Sequence, residues 1–223
     1  MNRSTPKLRR TWRQSLTADR LVLLVARTVS LLFTPFYFST VAFIVLLFLS
    51  PSYLRLLDVM HKLYIVLMVY LFTVVLPVLA IWLYRYINGL ARHELGQRER
   101  RIIPYILSIS SYTLLIYIFA SQQIHRNMLG ILVGALAMQV VCSLLTPLVK
   151  PSTHVAGAAG VAGMVLAFSF VLHFDPTLWL SGSILLTGLV ASSRIILRYH
   201  TLKQVGISVI IGLLCGFLGI VLI

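Results

Sequence analysis

Seven long apolar runs separated by short basic stretches dominate this chain, at residues 30–49, 63–84, 102–120, 128–149, 155–174, 177–192 and 205–223. Runs of this kind approach the roughly 20 apolar residues that carry a helix across the hydrocarbon core of a bilayer. A water-soluble core has no use for so many. The chain is 59% apolar and only 11% charged, whereas a soluble domain carries about 25% charged residues. The sequence therefore predicts an all-α fold, a polytopic membrane helical bundle of six to seven transmembrane helices.

The net charge of +14 does not point to nucleic acid, because the cations sit between apolar runs and not on one soluble basic face. Their placement predicts orientation instead. With the N-terminus in the cytoplasm, sixteen Lys and Arg fall on the cytoplasmic side, while only Arg55, Lys62 and Arg126 fall on the other. That is a positive-inside bias. It predicts seven spans, with the N-terminus cytoplasmic and the C-terminus outside, as in a bacterial inner-membrane protein. If residues 21–35 cross as well, the assignment inverts.

Arg13, Arg20 and Arg27 recur every seven residues, which aligns them on one helix face. The reading is a basic amphipathic helix lying in the membrane interface as a segment 1–29, followed by a single transmembrane domain 30–223. No compact apolar core ending in small residues follows the basic start, so the first span is expected to act as its own insertion signal. Cys142 and Cys215 lie inside apolar runs without metal-ligand spacing and read as small buried hydrophobes. Ala156, Gly160 and their small neighbours, and Gly212, Gly216 and Gly219, predict helix faces that permit close backbone approach.

Three polar clusters interrupt the pattern, and they share one side of the membrane on either topology. They are Arg98-Glu99-Arg100-Arg101 leading to Pro104, Lys150-Pro151-Ser152-Thr153-His154, and Ser193-Arg194 through Arg198 to His200. Two histidines beside several cations, with Glu99 the one carboxylate among them, describe an anion site. Cations and helix N-terminal amides can hold phosphate oxygens. One histidine can attack phosphorus while the other protonates the leaving oxygen. The scarcity of Asp and Glu disfavours hard-metal hydrolysis, so neither metal nor other cofactor is expected.

Lys150-Pro151-Ser152-Thr153-His154 resembles the second signature, Pro-Ser-Gly-His, of the type 2 phosphatidic acid phosphatase superfamily. Ser193-Arg194 with His200 resembles its third, Ser-Arg-x5-His-x3-Asp, and a two-helix hairpin fits between them. The resemblance covers roughly residues 98–223. It implies His200 as nucleophile, His154 as general acid, and Arg194, Ser152 and Thr153 as phosphate-binding groups. Lys150, Arg98 and Arg101 stand as candidates for the cations of the first signature, Lys-x6-Arg-Pro, which is not matched as such. Gln204 occupies the place of the aspartate that orients the nucleophilic histidine, and Thr153 that of the glycine.

The resemblance implies a lipid-phosphate phosphatase acting through a phosphohistidine on a substrate from the bilayer, such as polyprenyl diphosphate, phosphatidylglycerol phosphate, phosphatidate or a lipid A phosphate. Its partners would be that substrate and membrane lipids, and no nucleic acid. The alternative is a catalytically impaired protein of the same fold that binds or moves an anionic lipid. A small transporter with purely topogenic charges is a third reading.

Overall fold

The computed structural model describes residues 20–49, 58–89, 102–173 and 175–223, and within them the regular structure is helical. The helices are α1 (Arg20–Leu32), α2 (Pro35–Ile44), α3 (Val59–Tyr70), α4 (Leu76–Ile87), α5 (Ile102–Ser121), α6 (Arg126–Leu145), α7 (Thr153–Leu172), α8 (Thr177–Ile196) and α9 (Leu202–Val221). Six segments among the described residues are long and apolar enough to cross a membrane, with α3 and α4 continuous as the span Val59–Ile87, and α1 with α2 makes a seventh if that bent pair is one span. The chain is an all-α integral membrane bundle.

The run 30–49, expected as one straight span, is broken. Pro35 opens α2, and the ring of a proline pushes the residue before it out of the helical region. Thr34 accordingly sits at φ −76°, ψ 148°, and the axes of α1 and α2 diverge by 61°. The 29/30 boundary drawn from sequence thus falls inside α1. This helix buries Ala26 and Ser30 and leaves Leu21, Leu24 and Leu31 more than 60% exposed, as a helix lying against lipid would.

A proline also shapes the long span. Pro77 has no N–H for the carbonyl of Thr73 and crowds it, and the helix widens into a π-helical turn over Leu71–Val75. The carbonyl of Phe72 is taken up by Ser111 Oγ of α5, and Thr73 Oγ1 pairs with Thr40 Oγ1 of α2 at 3.3 Å.

Helix α6 ends at Leu145, four residues before the expected limit. Thr146 turns its hydroxyl back onto the Cys142 carbonyl, 2.7 Å away, and Pro147 and Pro151 cannot continue a helical ladder. The hairpin of α7 and α8 forms as the sequence predicts. His173 ends α7 with φ 48°, and Asp175 Oδ1 accepts from the Thr177 amide and hydroxyl at 3.0 and 2.6 Å. These bonds hold the exposed Asp175 carboxyl below its ordinary pKa.

The small-residue faces are where α6, α7 and α9 meet. A Cβ on Gly212 would run into the Ala156 carbonyl oxygen, and one on Gly216 into that of Gly160. Such contact gives dispersion attraction its full range where lipid supplies no hydrophobic drive between helices. Helix α7 is the most buried of the spans and α8 among the least. The consequence for the site is simple: α7 and α9 are locked together, and the loops that enter them are held at one end of the bundle.

Candidate functional site

Helix α8 stops in a way that delivers Arg194 and His200 together. Arg198 adopts φ 55°, the Tyr199 amide donates to the Arg194 carbonyl at 3.1 Å, and the Arg198 amide donates to that of Ile195 at 2.9 Å. This is the paired-bond helix terminus that usually places glycine at the left-handed position. Thr201 then starts α9 with a reciprocal cap, its Oγ1 accepting from the Gln204 amide. His200 lies between the two helix ends and is 5% exposed.

The histidine ring is held from both sides. Nδ1 lies 3.2 Å from the Lys150 carbonyl oxygen and Nε2 lies 3.5 Å from Arg194 Nη2. A guanidinium has no acceptor, so these partners assign the proton to Nδ1, which donates to the carbonyl, and leave the Nε2 lone pair facing Arg194. Gln204, expected to orient this ring, does not do so. Its Oε1 accepts from the Thr201 amide at 3.2 Å, because at the third position of α9 it is in reach of the helix's own cap. The Lys150 carbonyl takes the orienting position.

That carbonyl is fixed by the loop around it. Pro151 and Ser152 are buried, the Ser152 amide donates to Ser208 Oγ at 2.7 Å, and Ser208 Oγ donates to the Gln204 carbonyl at 2.6 Å. Ser152 is fully buried with its own Oγ unpartnered, and it lines neither of the two cavities described below. Its amide ties the loop to α9.

A cavity of about 380 Å³ opens beside this pair, walled by Arg27, Ser30, Lys150, His154, Arg194 and Tyr199, among others. Arg194 is 8% exposed. It donates from Nη1 to Ser30 Oγ at 2.7 Å and stacks on Tyr199 with 4.6 Å from its guanidinium carbon to the ring centre. Arginine is suited to such use because its planar fork can bond and stack at once. The wall contains three cations and no carboxylate among its residues. Arg194 is thus the shared member, facing the cavity with His154 and touching the buried His200.

Of the expected residues, His154, Lys150 and Arg194 meet at this cavity, and His200 stands behind Arg194. Thr153 lines a second cavity instead. Arg98 and Arg101 lie outside the described residues. Arg198 is exposed and serves the turn. Arg27 and Ser30 were missed, Arg27 having been read as part of the interfacial segment and Ser30 as the start of the first span. The available signal was an arginine inside the otherwise apolar run 21–32, since an ionisable residue there is costly and usually faces a polar interior.

The second cavity, about 430 Å³, lies within the bundle between α2, α4, α5, α6, α7 and α9 and is walled mostly by apolar groups. Thr34 and His154 belong to both walls. A charged pocket and an apolar slot therefore adjoin at one histidine. No three His, Cys, Asp or Glu side chains gather in a metal-binding group among the described residues. Comparison of the chain with models of known families, with curated proteins and with solved structures finds no match.

Proposed function

We propose that this protein is a lipid-phosphate phosphatase of the type 2 phosphatidic acid phosphatase kind, working through a phosphohistidine. The observation that carries the reading is the double role of Arg194, which walls a cationic cavity with Lys150 and His154 and lies 3.5 Å from His200 Nε2. A phosphate in the cavity would draw the guanidinium onto its oxygens and release the Nε2 lone pair. Nε2 then attacks phosphorus, the bond to the leaving oxygen breaks, and His154 supplies that oxygen with a proton. In the second half His154 takes a proton from water, whose oxygen attacks phosphorus as the P–N bond breaks. The products are the alcohol, or the shortened phosphate, and inorganic phosphate.

The apolar slot adjoining His154 supports a substrate from the bilayer, with polyprenyl diphosphate, phosphatidylglycerol phosphate, phosphatidate and lipid A phosphates as the classes to test. The charge bias of the loops supports a bacterial inner membrane with a cytoplasmic N-terminus. The test is release of inorganic phosphate from these lipids by purified protein in detergent. The expected result is release that His200→Ala and His154→Ala abolish, and no release above His200→Ala on any lipid overturns the reading.

One observation favours a second reading, binding of an anionic lipid without turnover. The orienting partner of His200 is a neutral carbonyl, which fixes the tautomer without stabilising an imidazolium. Lipid that co-purifies with its phosphate intact, in the absence of turnover, supports that reading.

A further inference from the structure

Helix α1 presents three different faces. Arg27, Ser30, Leu31 and Thr34 recur at i, i+3, i+4 and i+7, which puts them on one line along the helix and its elbow. They are four of the nine residues that wall the cationic cavity. A second face is turned to the bundle, with Ala26 buried and with Val29 and Phe33 packed against Phe38, Val155, Val190 and Val205. The third face, with Leu21, Val25 and Leu32, is exposed. Arg20 is exposed too and stands two turns before Arg27 on the cavity-facing line.

The placement of α1 makes that third face a membrane contact. Phe38 of α2 lies against Gly157, one turn into α7, so α2 starts at the end of the bundle that holds the cavity. There α1 joins it through the Thr34–Pro35 break, at 61°. The thirteen residues Arg20–Leu32 are about 20 Å long and, at that angle, extend only about 10 Å along the α2 axis. That is too short to cross a bilayer and matches the depth to which an interfacial helix buries its apolar side. The charge is one-sided as well. Up to Thr34 the chain carries seven Lys and Arg against one acid, Asp19, and the surface complementary to it is a leaflet of anionic phospholipid.

We infer that α1 docks on an anionic leaflet and that this docking holds Arg194 across His200. The link is the bond from Arg194 Nη1 to Ser30 Oγ at 2.7 Å. A guanidinium has donors only, so it stays where acceptors and a ring face hold it, here Ser30 and the ring of Tyr199. Held in this way, its Nη2 covers His200 Nε2 at 3.5 Å. Ser30 belongs to a helix joined to the bundle through a proline elbow, whereas Tyr199 and His200 belong to the turn between α8 and α9. The seat of α1 therefore decides whether the guanidinium is held, and each arginine of α1 at a negatively charged surface makes that seat firmer. The lipid composition of the membrane thereby reaches the ring of His200 with no ligand in the cavity. This coupling stands on the position of α1 and does not require turnover.

The experiment places purified full-length protein in nanodiscs of phosphatidylcholine, with or without phosphatidylglycerol, and follows acylation of His200 by diethyl pyrocarbonate with peptide mass spectrometry. The reagent is uncharged, and the exposed His125 serves as reference in the same sample. The expected result is that phosphatidylglycerol slows His200 relative to His125 by about fivefold or more, the weight of one arginine at an anionic surface. The slowing shrinks in Arg20→Gln. In Ser30→Ala, His200 reacts fast in both lipids, because α1 still docks but no longer holds the guanidinium. A rate that ignores phosphatidylglycerol, or a lipid effect that Arg20→Gln or Ser30→Ala leaves intact, overturns the inference. A spin label on Val25→Cys, in protein carrying Cys142→Ala and Cys215→Ala, reports what covers the third face. Relaxation by oxygen dissolved in the bilayer is expected, whereas dipolar coupling between labels would put a second copy of the chain there and overturn lipid docking. Should Ser30→Ala fail to fold, the Arg20→Gln comparison and the label decide. None of these measurements uses phosphate release, so the docking of α1 and the phosphatase reading stand or fall separately.

Discussion

The ring of His200 is oriented by the backbone carbonyl of Lys150, fifty residues earlier in the chain, at 3.2 Å from Nδ1. A carbonyl and a carboxylate both fix the tautomer, but the carbonyl belongs to the backbone and cannot be removed by changing a side chain. The sequence alone suggests that restoring an acid at position 204 would raise turnover. With the side chain of Gln204 engaged at the start of α9, Gln204→Asp is expected to leave kcat unchanged. Gln204→Ala is expected to lower stability by about 1 kcal/mol through loss of the cap. Steady-state phosphate release and thermal unfolding of the two variants separate these effects, and a rise in kcat for Gln204→Asp would return Gln204 to the histidine.

Arg194 bonds, stacks and faces the cavity at once, and a lysine cannot do all three. Arg194→Lys is expected to cut kcat by about 10², the scale for removing one preorganised donor to a developing oxyanion. Arg27 of α1 walls the same cavity, while Arg194 is the cation beside His200 Nε2, so Arg27→Gln is expected to raise KM and spare kcat. Kinetics on one lipid phosphate check both. A fall in kcat for Arg27→Gln equal to that for Arg194→Lys would place Arg27 at the reacting group.

Glycines of identical helical conformation are expected to respond in opposite directions. Gly212 and Gly216 abut backbone of α7, whereas a Cβ on Gly182 or Gly188 of α8 would meet nothing within 4 Å. Gly212→Ala or Gly216→Ala must push α7 and α9 apart, an overpacking cost of roughly 1–3 kcal/mol or more. Gly182→Ala or Gly188→Ala is expected to stabilise by about 0.5–1 kcal/mol, since alanine loses less backbone entropy. Melting temperatures in detergent give the sign of each.

Arg198 holds a left-handed conformation at the end of α8 while its side chain is exposed. Arg198→Gly keeps the turn and relieves a strain of roughly 1–2 kcal/mol. The expected outcome is a higher melting temperature with unchanged phosphate release. A loss of activity at unchanged stability would give the Arg198 side chain a part in the site.

The Asp175 carboxyl is held below its ordinary pKa by the hydroxyl and amide of Thr177. A carboxylate depressed on folding adds stability that is present above its unfolded pKa and disappears as the pH falls through the folded value. Wild type should therefore exceed Asp175→Ala in melting temperature at neutral pH, with the difference closing in acid. A difference that stays constant with pH would assign the effect to the turn backbone.

The membrane class, the helical hairpin and the meeting of the second and third polar clusters were legible in the sequence, because apolar run length and chain reversal are local properties. Two motifs that flank one hairpin must end on the same side of the bundle. Pro35, Pro77 and Pro147 were equally visible, yet the 61° bend, the π-helical turn and the early end of α6 emerged only with the helices in place. The assignment of side chains to roles was tertiary throughout. Ser30 and Arg194 are 164 residues apart, and nothing in either neighbourhood specifies the other. Gln204 matched a motif position but lay closer to its own helix cap than to His200. Composition and periodicity determine what the chain must bury, and the contacts between distant segments decide which buried groups face a phosphate, a lipid chain or one another.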